Sequence, residues 1–378
     1  MAKIQEHRMK VNEFDWKNAK VLVTGASGFK GSWLCASLIA LDSRVYGTVR
    51  DQVHPDSLYK ILDLDSRISK INIDITERQQ VNDMINSIEP DVIFHLAAKA
   101  LVPVSLRDPR RTFNVNITGT LNIIEACRKL KVCNRLLICS TDHVFGIVKS
   151  MPAEGLPETE RVSYGGPYDT SKAAMELLVR SYHSTYWSEV PAIGITRCAN
   201  VFGYGDVNQR RVIPLFVNSA VNNIAIPLKY RQNGRQFIHI TDAIAGYIRA
   251  ISSLDEGDFS KKQGRPIPDR TPFTPTFHFA IETYGHSEPY IRMEELARTV
   301  SRLFNVSIDD KNAVDLAPRE NPILALNCRS TREALGWTPK KSLEEGLKDL
   351  SEWFKCNTEE ARKRIIWKDV DHIIDSLR

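Results

Sequence analysis

The chain has 378 residues, 42% hydrophobic and 26% charged, the composition of a globular protein long enough for one large α/β domain and a smaller appended one. Its 51 basic and 46 acidic side chains leave a formal net charge of +5. An excess so mild, spread along the chain, argues against a nucleic-acid partner, which would draw Lys and Arg onto one face.

Residues 1–18 read as an N-terminal extension, and the opening stretch is too polar for a signal peptide. A strand expected over Lys20–Thr24 then runs straight into the turn GASGFKG. Gly25, Gly28 and Gly31 stand there in GxxGxxG spacing, between that strand and a helix expected over Gly31–Leu41. In this context the first glycine permits a tight turn, the second a close approach to pyrophosphate, and the third close helix–strand packing. The helix amino terminus offers the phosphates free N–H groups and its dipole. Ser27, Phe29 and Lys30 complete the turn and belong to the same expected dinucleotide site.

The second strand is expected over Arg44–Val49. An acid at its end would accept from the ribose 2′-hydroxyl of NAD, whereas an arginine favours the 2′-phosphate of NADP. Val49 occupies that place and Arg50 follows, which leans towards NADP; NAD stays open through Asp51. Next come a strand over Lys70–Ile73, a helix over Glu77–Ile88 and a strand over Asp91–Leu96. Asp74 and Ile75 fall where the adenine edge would lie, or where an ordinary helix cap would.

A helix over Arg111–Leu130, a strand over Arg135–Ser140, a helix over Tyr168–Trp187 and a strand over Ala192–Arg197 continue the alternation. Short apolar strands separated by helices indicate α/β architecture, a doubly wound parallel sheet whose ligands bind at the strands' carboxyl ends. Two features sit there. Tyr168 and Lys172 form a YxxxK, with both side chains on one helical face. A phenol pKa of about 10 is too high for a base near neutrality, and a lysine ammonium one turn away favours the phenolate. The pair is therefore expected to take a proton from a sugar hydroxyl as hydride leaves the same carbon. At the end of the fifth strand, Ser140-Thr141-Asp142-His143 place a hydroxyl, an acid and an imidazole together. That set suits a mechanism that donates one proton and abstracts another; the bland alternative is a turn that Asp142 caps and in which His143 packs.

After about residue 205 the alternation breaks down. Residues 206–356 are expected to supply a smaller mixed α/β substrate lobe, some of whose elements return to the main sheet. Helices are expected at Arg211–Asn222, Thr241–Ser252, Met293–Phe304 and Leu343–Phe354, a surface loop over Asp255–Pro275, and a terminal helix over Thr358–Leu377. Guanidinium groups clamp phosphates in bidentate fashion, which makes Arg211 and Arg235 candidate phosphate clamps, or else ordinary surface arginines. The seven cysteines are odd in number, lack a CxxC pair and mostly lie in apolar runs. They read as buried free thiols of a reducing compartment and not as a disulfide frame or metal site. No apolar stretch approaches the roughly 18 residues of a membrane helix. The expectation is a cytoplasmic protein with no metal, membrane or nucleic-acid partner.

Together TGASGFKGS, His95-Leu96-Ala97-Ala98, Ser140-Thr141-Asp142, the YxxxK and RCANVFGYGD resemble the extended short-chain dehydrogenase/reductase family of nucleotide-sugar enzymes. The resemblance runs to LGWTPKKSLEEGL (Leu335–Leu347). GFKGSWL and RCANVFGYGDVNQRRVIP look closest to the CDP-glucose 4,6-dehydratases of that family, and VYGTVRD is similar to its GDP-mannose 4,6-dehydratases. The resemblance implies a Rossmann core, with Leu96, Ala97 and Ala98 beside the cofactor and Asn200 against the substrate diphosphate. It implies oxidation at C4 assisted by Tyr168, Lys172 and Thr141, then elimination of water with Asp142 as acid. The base position, Glu or Lys in those dehydratases, is His143 here; an imidazole with a pKa near 6.5 can serve. A C4 epimerase and an NADPH-dependent 4-ketosugar reductase, whose STDYVF run STDHVF resembles, are the alternatives. A homodimer through Arg111–Leu130 and Tyr168–Trp187 is also implied.

Overall fold

The structure, a computed structural model, describes residues 14–50, 53–254, 274–285, 287–317, 321–356 and 358–377. Seven parallel strands form its central sheet: β1 (Lys20–Thr24), β2 (Arg44–Thr48), β3 (Ser69–Ile71), β4 (Val92–His95), β5 (Arg135–Cys139), β6 (Ala192–Cys198) and, after four short intervening strands, β11 (Thr276–Phe279). Their order is β11-β6-β5-β4-β1-β2-β3, so the chain starts in the middle, winds outward one way, then crosses back. Such a reversal beside β1 opens a crevice at the carboxyl ends of β1 and β4. The first six strands lie within a residue or two of the expected ranges. The seventh was not singled out in the sequence.

The strands are apolar on both sides because helices cover both faces. Leu22, Ile93, Leu136 and Ile138 bury one face under the helices Arg78–Ile88, Gly119–Leu130 and Pro167–Thr185. Their chain neighbours Val21, Val23, Phe94 and Leu137 bury the other with Trp33 and Leu34 of the helix Phe29–Ala40. Each such side chain is worth about 1.5–3 kcal/mol by its removal from water. The helix expected over Arg111–Leu130 is interrupted: Pro109–Phe113 and Gly119–Leu130 flank one wider π turn, Asn114–Thr118.

The second half divides between two bodies of structure. The helix Ile240–Ser252 packs on β5, β6 and β11, and the terminal helix Glu359–Leu377 packs on it and on Phe29–Ala40. The remainder combines the helices Val212–Val221, Met293–Phe304, Arg329–Leu335 and Leu343–Lys355 with short strands: β7 (Asn200–Phe202) beside β10 (Phe237–His239), β8 (Ile226–Pro227) beside β13 (Ile308–Asp309), and β9 (Gly234–Arg235) between β12 (Ile291–Arg292) and β14 (Ile323–Leu324). The expected loop Asp255–Pro275 lies mostly outside the described residues, as does Asp51. No described helix is long and apolar enough to cross a membrane.

Candidate active site

The glycine turn follows from steric demands at three backbone positions. Gly25 has φ +75°, in the left-handed region that favours glycine. A Cβ on Gly31 would stand 2.2 Å from the Gly25 carbonyl oxygen, so the helix can approach the strand only without one. A Cβ on Gly28 would meet only that same oxygen, at 3.3 Å, and otherwise open space. Gly28 caps the helix Phe29–Ala40 without any side-chain hydrogen bond, so no capping side chain takes up the first-turn N–H groups. Ser27 and Phe29 are half-buried. Lys30 turns inward, its Nζ donating to the Tyr247 hydroxyl at 3.2 Å. This arrangement fits a pyrophosphate-bearing dinucleotide.

The floor of the crevice is tied together. Thr24 Oγ1 meets His95 Nδ1 at 2.8 Å and accepts from the Ala97 N–H at 3.2 Å, while His95 Nε2 meets Thr120 Oγ1 at 3.0 Å. Burial pulls His95 down to about 3, aided by Lys172, so the ring stays neutral. Leu96, Ala97 and Ala98 follow at the carboxyl end of β4. At the far side Arg50 is exposed, with Nη1 4.0 Å from Asp74 Oδ2. Arg111, which the sequence reading passed over, pairs with the same carboxylate oxygen. Burial pushes the Asp74 carboxyl up, but hydrogen bonds from Thr76 and Arg111 outweigh it and hold it at about 2. Ile75 is buried, and a Cβ on Gly119 would strike it at 2.6 Å.

The YxxxK residues are both buried, on the helix Pro167–Thr185. Lys172 Nζ donates to the Cys139 carbonyl at 2.6 Å, at the end of β5. Burial pulls its ammonium down to about 8, with Lys30 adding to the effect. Burial raises the Tyr168 phenol to about 12, opposed by the Thr141 hydrogen bond and Arg211 and reinforced by Asp142 and Asp169, the opposite direction to the lowering expected from Lys172 alone. No hydrogen bond joins Tyr168 to Lys172; desolvation dominates in this state. Beneath them, Asn116 of the π turn donates to Ser171 Oγ at 2.8 Å, and Ser171 donates to the Tyr168 carbonyl at 2.7 Å. An irregular helical turn at such a point is typical of functional sites.

Thr141, Asp142 and His143 open a single 3₁₀ turn directly after β5. Thr141 and Asp142 are buried, and Thr141 Oγ1 donates to Asp142 Oδ1 at 2.9 Å. The Ser140 hydroxyl is buried and has no partner among the described residues. His143 packs edge-on against the Tyr168 ring, with centroids 5.8 Å apart, and its Nδ1 lies 3.0 Å from Asp169 Oδ1. Its pKa is raised: burial pulls it down, but Asp169 and Asp142 prevail, with Arg235 opposing them. The turn and the helix thus bring Thr141, Asp142, His143, Tyr168 and Asp169 into one cluster.

The substrate-side candidates are less concentrated. Asn200 is exposed on β7, its Nδ2 donating to the Gln236 carbonyl at 3.2 Å. Arg211, just before the helix Val212–Val221, pairs with Asp206 at 2.9 Å, and its charge reaches Tyr168. Arg235 Nη1 donates to the carbonyls of Gly234 and Asn321, each at 2.9 Å, and its charge reaches His143. Arg211 and Arg235 thus act on the cluster through their charges, with these hydrogen bonds made elsewhere.

Residues 22–350 match the model of the GDP-mannose 4,6 dehydratase family. The chain belongs to that family. It is 25% identical over 351 residues to a CDP-glucose 4,6-dehydratase of Salmonella typhimurium, covering 90% of this chain and 92% of that protein. Among solved structures, DesIV of Streptomyces venezuelae, a dTDP-glucose 4,6-dehydratase with NAD and TYD bound, aligns with a TM-score of 0.71 at 23% identity, over 89% of this chain and 97% of that one. The UDP-glucose 4-epimerase of Thermotoga maritima, solved with UDP-glucose, aligns with a TM-score of 0.71 at 22% identity, over 89% of this chain and 98% of that one. The protein is an enzyme of the nucleotide-sugar dehydratase and epimerase class with a Rossmann core, as its glycine turn and YxxxK imply.

Proposed function

We propose that the enzyme is a nucleotide-hexose 4,6-dehydratase, taking a CDP-glucose-like or GDP-mannose-like substrate to the 4-keto-6-deoxy sugar. The observation that carries this reading is the placement of Asp142 and His143 against Tyr168. An epimerase needs only the phenol, the lysine, a hydroxyl and the cofactor, and has no task for a second acid and an imidazole beside them. A 4-ketosugar reductase needs no group to take a proton from C5.

The turn at Gly25, Ser27, Gly28, Phe29, Lys30 and Gly31 would hold the dinucleotide, with Leu96, Ala97 and Ala98 alongside it and Asp74 and Ile75 at its adenine end. When bound, the nicotinamide supplies the oxidant for C4 and returns the same reducing equivalent to C6. NADP is the proposed form, because Arg50 at the end of β2 suits a 2′-phosphate better than a hydroxyl. Tyr168 accepts the C4 hydroxyl proton, with the Lys172 cation favouring the phenolate and Thr141 binding the same oxygen. The resulting ketone acidifies C5. His143 takes the C5 proton and Asp142 protonates the departing C6 hydroxyl, which leaves as water. Asn200, Arg211 and Arg235 hold the diphosphate. A reducing cytoplasm suits the seven cysteines, all free and six of them buried.

Mass spectrometry of reactions in deuterated water tests this with CDP-glucose, GDP-mannose, dTDP-glucose and UDP-sugars. The expected product has lost one water and gained deuterium. Unchanged mass with altered stereochemistry would make the enzyme an epimerase instead. Asp142→Asn should leave oxidation at C4 intact while slowing elimination by about 10² to 10⁴; an unaffected rate would remove Asp142 from the scheme.

A further inference from the structure

Asp169 immediately follows the YxxxK tyrosine and carries two separate loads. Its Oδ2 accepts the Gly166 N–H at 3.0 Å, closing the first turn of the helix Pro167–Thr185. Its Oδ1 lies 3.0 Å from His143 Nδ1. The carboxylate lies close against the backbone at Gly165, where a Cβ would stand 2.5 Å from Asp169 Oδ2. A helix cap alone would need one oxygen and no histidine.

We propose that Asp169 is a positioning residue that fixes the tautomer and orientation of His143, making an Asp–His pair that serves proton abstraction at C5. This rests on the dehydratase reading above, in which His143 is the base. A carboxylate oxygen can only accept, so the proton shared with Asp169 belongs to Nδ1. Nε2 is then the lone-pair nitrogen, and it makes no hydrogen bond to any described residue. The edge-on packing of the imidazole against Tyr168 places that nitrogen's ring one side chain away from the phenol. When Nε2 takes a proton, the carboxylate faces the new imidazolium charge, the same logic by which the acid of a Ser-His-Asp triad supports its histidine. The charged and titratable groups facing His143 come from three elements: Asp142 on its own turn, Tyr168 and Asp169 on the helix, and Arg235 on β9. The acids outweigh Arg235, in the direction of a stabilised imidazolium.

Asp169→Asn is the informative variant. Its carbonyl can still cap Gly166, which turns the amide NH₂ towards Nδ1 and favours the wrong tautomer. Three readouts on wild type, Asp169→Asn and His143→Ala decide the matter: nicotinamide reduction on mixing with CDP-glucose, deuterium uptake at C5, and the His143 pKa and tautomer by NMR of histidine-labelled protein. Asp169→Asn should keep nicotinamide reduction and slow C5 exchange by about 10²-fold or more. Asp169 holds the imidazole pKa up, so its neutral form is lost as pH falls through that raised value. The variant should therefore carry the acid limb of C5 exchange, and the NMR pKa, downward by about one unit or more. Exchange at the wild-type rate with an unmoved His143 pKa would overturn the proposal. So would loss of nicotinamide reduction in parallel with thermal stability, which would make Asp169 a cap alone. Normal exchange in His143→Ala would sink the underlying choice of base, whereas an inactive His143→Ala beside an unaffected Asp169→Asn sinks only the role of Asp169.

Discussion

Arg50 and Asp74 show how a single residue's meaning depends on its neighbours. The sequence places an arginine where the second strand ends, and the structure sets it beside a carboxylate that also binds Arg111. Two guanidinium groups on one acid make a polar edge that either a 2′-phosphate or a ribose hydroxyl could engage. The two cases separate under mutation. Arg50→Ala is expected to weaken NADP binding far more than NAD binding in a fluorescence titration, because only the phosphate loses a charge partner. Equal weakening of both cofactors would exclude a 2′-phosphate contact. The YxxxK pair teaches the converse lesson: the spacing of Tyr168 and Lys172 was legible, but burial raising one and lowering the other was not. Desolvation is set by what packs around a side chain, and a linear pattern does not contain it.

At the scale of elements, the strand–turn–helix unit at the start of the sheet carries the clearest signal in the chain, because its glycines answer to backbone sterics. Gly31 and Gly28 should separate packing from binding. Gly31→Ala forces a methyl into the Gly25 carbonyl, which should cost about 1–3 kcal/mol, read as a lower thermal midpoint, and weaken the dinucleotide as the helix shifts. Gly28→Ala meets little protein and should weaken the dinucleotide with the midpoint unchanged. An identical thermal loss in both would show that the turn is structural only. The helix expected over Arg111–Leu130 illustrates the limit of periodicity. Its residues are helical throughout, but the π turn that aims Asn116 at Ser171 adds one residue to a single turn. A pattern read at 3.6 residues per turn does not register so local a change.

At the scale of the whole molecule, the buried Arg197 joins elements far apart in the chain. Its guanidinium pairs with Glu176 on the YxxxK helix at 2.9 and 2.7 Å, reaches the Glu158 carbonyl at 3.2 Å, and lies over the Phe145 ring. It thereby ties β6 to the helix and the turn that frame the candidate site. The same helix presents Leu177, 58% exposed, on its outer side. This fits the homodimer that the family resemblance implies through Arg111–Leu130 and Tyr168–Trp187. Sedimentation velocity should find a dimer that Leu177→Asp shifts towards monomer without lowering the thermal midpoint. A wild-type monomer at micromolar concentration would overturn that assembly.

The sequence by itself determined the first six strands of the sheet, the glycine turn and the YxxxK helix. Each rests on local rules: side-chain alternation and apolar runs for strands, steric exclusion for glycine, and a four-residue spacing for two side chains on one face. Only the tertiary structure decided that Thr276–Phe279 returns to the sheet edge beside β6, since a four-residue strand so distant in the chain is recruited by its partner's free edge. It also decided that Asp169, Asn116 and Arg111 attend the site. Their partners, His143, Ser171 and Asp74, lie 26, 55 and 37 residues away, and contacts of that range exist only once the helices have packed on the sheet.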